Sequence, residues 1–104
     1  MRKLAQTNGV EDRGSLIAAL LAVETADEMD RFLTDLCTPG EIQALAERWR
    51  VARLLNAGKY TYREISEKTG ASTATVTRVA RFLSQESAQG YRLVLDRMKK
   101  AANV

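Results

Sequence analysis

TYREISEKTGASTATVTRVARFLS, Thr61 to Ser84, reads as two short helices broken at Gly70. Thr61-Tyr-Arg-Glu64 fits a capping box, in which a hydroxyl and a carboxylate satisfy free N–H groups at a helix start. Ser72 is placed to cap the second helix. That helix carries three threonines and two valines between Thr73 and Val79, residues that lose side-chain freedom in a helical turn. A strand would suit them. Yet Val76, Val79 and Leu83 recur three and four apart, which is helical spacing. The stretch therefore predicts a helix pair whose second member needs support from packing.

Two short helices joined at a glycine, the second bearing hydroxyls and arginines, make the pattern of a helix-turn-helix over about 61–84. Ile65 and Thr69 fall inside the first helix, and Ser66 is the small residue where the two approach. Gly70 takes the turn, where a positive φ is needed and a Cβ is expected to clash. Val76 and Val79 face the body. Thr73, Thr77, Arg81 and Ser84 then share the outward side, with Ala74 and Arg78 beside them. In a helix-turn-helix this side enters the major groove, its N-terminal residues nearest the bases. Ser72, Thr73, Ala74, Thr75 and Thr77 are small enough for close approach, and their hydroxyls and methyls can meet base edges or thymine methyls. Arg78 and Arg81 can reach phosphate or guanine. Lys59 and Arg63 are candidate phosphate contacts that fix orientation. The implied partner is double-stranded DNA. The alternative is an all-α helix-turn-helix domain that binds a protein and no DNA.

The rest of the chain is punctuated in the same way. Residues 1–12 are polar and aperiodic and predict a flexible tail. Ser15 precedes the apolar run Leu16–Val23. Thr25-Ala-Asp-Glu28 is a second capping box, followed by the apolar face Met29, Phe32, Leu33 and Leu36. Thr38-Pro39-Gly40-Glu41 is a third, with proline at the first helical position, and Gly58 stops its helix. Tyr91, Val94, Leu95 and Met98 mark a last helix ending at Lys99-Lys100. The expectation is six helices and no strand, one all-α domain over 13–104. The first helix is apolar nearly all round, which requires burial on every side. A homodimer interface supplies that burial; a central core helix in a monomer is the alternative.

The charge is divided. Residues 1–47 hold four Lys/Arg against nine Asp/Glu, and residues 48–104 hold twelve against four. A basic half of this kind suits a polyanion, although scattered solvated arginines would give the same count. Catalysis has little to stand on. There is no histidine, Cys37 has no histidine to activate it, and no metal-ligand cluster or phosphate-binding glycine loop is present. Glu24, Asp27, Glu28 and Asp30 read as a solvated face. No apolar run is long enough to span a membrane. With a single cysteine, the expected compartment is the cytoplasm.

Thr38 to Leu83, "TPGEIQALAERWRVARLLNAGKYTYREISEKTGASTATVTRVARFL", resembles the Trp repressor family of bacterial transcriptional regulators. Thr-Pro-x-Glu opens the long helix, Arg-x-Arg lies inside it, Leu-Leu-x-x-Gly closes it, and Gly-Ala-x-x-Ala-Thr-Val-Thr-Arg begins the second helix of the pair. "DLCT", "GASTATVTR" and "GYRLVLDRMKK" look closer still to Trp-repressor-related proteins of the YerC/YecD type. The resemblance implies a six-helix Trp-repressor-like fold, an intertwined homodimer, and a repressor that reads a palindromic operator and joins the nucleoid when bound. In that family the corepressor's indole lies between two arginines, matched here by Arg48 and Arg78, and Thr38 matches a pocket threonine. Val79 stands where the pattern has glycine, however, and Phe82 where it has the serine that receives the amino group. A valine branch removes space, and a phenyl ring removes a hydrogen-bond acceptor, a loss of about 1–3 kcal/mol when its partner stays unpaired. L-tryptophan is therefore disfavoured as effector. Either Phe82 fills the pocket itself or another, unidentified small molecule is used. Arg48 could instead pair with Glu47 or Glu41 on its own helix. Trp49 reads as core, and Cys37 as a small buried residue at a helix junction.

Overall fold

The computed structural model describes residues 8–102. They form α1 (Gly9–Ala22), α2 (Ala26–Leu36), α3 (Pro39–Ala57), α4 (Tyr62–Thr69), α5 (Thr73–Ser84) and α6 (Gly90–Ala102). No strand occurs among the described residues. The start of α1 differs from expectation. Asn8, not Ser15, is the cap: its Oδ1 accepts from the Val10 N–H at 2.9 Å and its carbonyl from the Asp12 N–H at 2.9 Å. Residues 9–12, read as tail, are thus helical, while residues 1–7 of that expected tail lie outside the described residues.

Where the sequence suggests one domain, the helices group into two compact units, one ending at Pro39 and the other beginning at Gly40. In the first, Thr25 caps α2 by accepting from the Glu28 N–H at 3.1 Å. The reciprocal bond is displaced by one residue, with the Glu28 carboxylate accepting from the Glu24 N–H at 2.9 Å. Neither α1 nor α2 has a buried residue. Ile17 is 49% exposed and Leu21 80%. Cys37 caps α2 and is half-exposed rather than buried.

The second unit has a core. Val51 and Ala52 of α3, Ile65 of α4, Ala71 of the turn, and Val76 and Val79 of α5 are buried together, with Trp49, Leu54, Leu55, Tyr60 and Tyr91 packed around them. Burying one valine or isoleucine contributes roughly 1.5–3 kcal/mol. The helix-propensity cost of such a residue is at most about 0.7 kcal/mol, so packing decides that Thr73–Ser84 is helical. Gly58 ends α3 with φ +71°. Arg92 of α6 donates to Asn56 Oδ1 near the end of α3 at 2.9 Å and pairs with Asp96 at 3.2 Å.

Gly70 joins α4 to α5 in the left-handed conformation, φ +79°. The expected steric clash is absent: a Cβ there would meet nothing nearer than Glu47 Oε2 at 4.0 Å. The backbone angle alone is what requires glycine. The turn is tied down by side chains. Ser66 Oγ donates to the Ala71 carbonyl at 2.6 Å. Thr69 Oγ1 donates to the Ile65 carbonyl at 2.7 Å and accepts from the Ala71 N–H at 3.1 Å.

Candidate nucleic-acid interface

The α4–α5 pair is fixed at both helix starts. Thr61 and Glu64 form the full capping box, with Thr61 N–H donating to Glu64 Oε1 at 2.8 Å and Glu64 N–H to Thr61 Oγ1 at 3.1 Å. The Thr61 N–H and then its hydroxyl hold the Glu64 carboxyl below its ordinary value, with Lys68 adding to the effect. At the head of α5, Ser72 Oγ accepts from the Thr75 N–H at 3.1 Å and lies 3.0 Å from Thr75 Oγ1.

With Val76, Val79 and Leu83 buried, the other side of α5 faces outward. Ser72, Thr73, Ala74, Thr77, Arg78, Arg81 and Ser84 are exposed, and Thr75 is half-buried. Two of the hydroxyls already spend their proton within the helix: Thr77 Oγ1 donates to the Thr73 carbonyl and Ser84 Oγ to the Ala80 carbonyl, each at 2.9 Å. Their oxygens remain acceptors. The face therefore offers hydroxyl acceptors and methyls, and its strong donors are the two arginines. Lys59, before α4, and Arg63, on α4, are exposed as expected.

The arginines differ. Arg81 Nε lies 3.4 Å from Glu86 Oε2, whereas Arg78 forms no ion pair among the described residues. Both guanidinium groups lie over the Phe82 ring, Arg78 at 4.2 Å from its centroid and Arg81 at 5.2 Å. Phe82 in turn walls an open apolar groove of about 610 Å³, shared with Trp49, Tyr91, Val94 and Met98. Trp49 and Tyr91 stack there, with centroids 6.4 Å apart.

Of the residues matched to an effector pocket, two, Arg78 and Phe82, are in contact. Val79 is 1% exposed and belongs to the core, so it presents no surface to a ligand. Arg48 is half-buried on α3, and the ion pairs among the described residues do not include it. Thr38 falls in the other unit. Trp49 edges the core, as its reading requires, but also lines the groove. One residue escaped the sequence reading. Tyr62, 48% exposed, shares a cleft of about 210 Å³ with Thr77, Arg81 and Ser84. An aromatic interleaved with Lys59 and Arg63 was the available signal.

Among the described residues no His, Cys, Asp or Glu cluster is placed to hold a metal ion, and no helix is long and apolar enough to cross a membrane. Residues 12–99 match the family model described as Trp repressor protein. The chain is 46% identical over 85 residues to the uncharacterized protein YerC of Bacillus subtilis (strain 168), covering 82% of this chain and 80% of that one. It is 33% identical over 81 residues to a Trp operon repressor homolog of Vibrio atlanticus, covering 75% and 83%. Its fold is similar to the crystal structure of a TrpR-like protein from Eubacterium eligens, with a TM-score of 0.77, 41% identity, and 90% and 92% of the two chains covered.

Proposed function

We propose, for a chain that belongs to the Trp repressor family, the function of a sequence-specific DNA-binding transcriptional repressor that acts as a homodimer on a palindromic operator. The observation that carries it is the outward side of α5. A helix seated by Val76, Val79 and Leu83 presents small side chains along its first turns and two arginines beyond them. Thr73, Ala74 and Thr77 face base edges, and Arg78 reaches guanine or phosphate. Lys59 and Arg63 hold phosphates and set the angle of entry.

Two copies are needed for a palindrome. The apolar residues of α1 support self-association, since Leu16, Ile17 and Leu21 are exposed among the described residues. Sedimentation of a monomer at high micromolar concentration would remove the dimer. The expected setting is the bacterial cytoplasm, with the protein on the nucleoid when bound. No catalytic role is assigned. L-tryptophan is disfavoured as effector, because Phe82 matches the position at which the family has the serine that receives its amino group.

Selection of bound duplexes from a random pool tests the function most directly, since it yields the half-site, its symmetry and the dimer spacing together. Phosphate contacts make the binding weaken steeply as salt rises. Arg78→Ala should weaken binding, and substitution of Thr77 should alter base preference more than overall affinity. If no duplex is retained at low salt, the helix pair is a protein-binding domain instead.

A further inference from the structure

We infer that Phe82 is a positioning residue for the DNA-facing side of α5: its ring orders the Arg78 guanidinium in the free protein, so this side is assembled without a small-molecule effector. The inference rests on the DNA-binding role proposed above. The ring is half-buried and lines the open apolar groove together with Trp49, Tyr91, Val94 and Met98. It also meets two cations, Arg78 at 4.2 Å and Arg81 at 5.2 Å. Both distances fall inside the range of about 6 Å over which the negative face of an aromatic ring attracts a guanidinium.

Phe82 lies four residues beyond Arg78, the spacing at which helical side chains meet. The two arginines do not share the ring equally. Arg81 is further from it and also faces Glu86 at 3.4 Å. The ring is the principal restraint on Arg78, which forms no ion pair among the described residues. An exposed arginine loses much rotamer freedom when it docks. A guanidinium already seated over an aromatic ring has lost part of that freedom beforehand, which favours binding. An aliphatic side chain at 82 would still wall the groove but would present no π face.

The test is a double-mutant cycle between positions 78 and 82, measured on the best duplex from the random-pool selection. Phe82→Leu should weaken binding about two- to fivefold, the equivalent of one exposed cation–π contact, with a thermal midpoint close to the parent's. Phe82→Trp should bind as the parent does. In an Arg78→Ala background, Phe82→Leu should change nothing further. Parent-like binding by Phe82→Leu overturns the inference, and so does an equal loss in both backgrounds, which would mean that Phe82 acts through folding. Side-chain ¹⁵N relaxation of the parent supplies a readout that needs neither DNA nor a variant. The Nε–Hε of Arg78 should be more ordered than that of exposed Arg50, and equal disorder overturns the inference. If the parent binds no duplex but Arg78 is ordered, the DNA role fails and the positioning stands.

Discussion

The Arg78 guanidinium lies over the Phe82 ring, 4.2 Å from its centre and one helical turn away on α5. The underside of that guanidinium is thus already occupied by an aromatic group of the same chain. Val79 beside it is 1% exposed and locked in the core. Isothermal titration with L-tryptophan should therefore show no micromolar binding, and added L-tryptophan should leave the affinity for duplex DNA unchanged. Saturable micromolar binding would sink this expectation.

The Arg81–Glu86 contact makes a second prediction. Its side chains are 53% and 43% exposed, so the pair contributes little to stability, about 0–1 kcal/mol. Its effect on DNA is larger in kind, because Glu86 places a negative charge against one of the two arginines on the outward face. Glu86→Gln should leave the thermal midpoint nearly unchanged and tighten duplex binding several-fold at low salt, an advantage that shrinks as salt screens the field. Weaker binding by Glu86→Gln would show that Glu86 orients Arg81 rather than opposing its use.

Much of this was legible in the sequence where one residue type has one physical reason to be in place. The Thr61–Glu64 box, Ser72 as a cap and the positive φ at Gly70 depend on local chemistry, and all three stand as read. The buried positions Val76 and Val79 followed from helical spacing. Local signals misled where two caps competed: Asn8 opens α1, and Ser15 lies inside it. Whether a Cβ at Gly70 clashes depends on neighbours distant in sequence, and the nearest atom, Glu47 Oε2, stays 4.0 Å away. The groove under Phe82 was illegible for the same reason, since it needs Trp49, Tyr91 and Met98 brought together from two other helices. The cation–π contacts of Arg78 and Arg81 depend on rotamers, which spacing alone does not give.

The capping box at α4 carries a pH dependence. The Glu64 carboxyl is held below its ordinary value, first by the Thr61 N–H and then by its hydroxyl. A lowered folded-state value means that the ionised carboxylate stabilises the fold. That contribution is fully present above the ordinary carboxylate range and is lost as pH falls through the lowered value. Compared with the parent, Glu64→Ala should melt lower at neutral pH, and the gap should close on acidification. A gap that stays constant into acid would place its origin in something other than the charge.

Gly70 separates a backbone cause from a packing cause. Its φ of +79° lies in the left-handed region, which costs a residue with a Cβ roughly 1–2 kcal/mol. There is no steric penalty to add, because the nearest atom to a built Cβ is 4.0 Å away. Gly70→Ala should therefore lose about 1 kcal/mol in urea unfolding, an amount set by conformation alone. Gly70→Asn should lose less, since asparagine visits this region more readily than other residues with a side chain. A packing cause would reverse the order, because asparagine is the larger side chain. If Gly70→Asn proves the more damaging of the two, the turn is crowded and the conformational account of Gly70 is wrong.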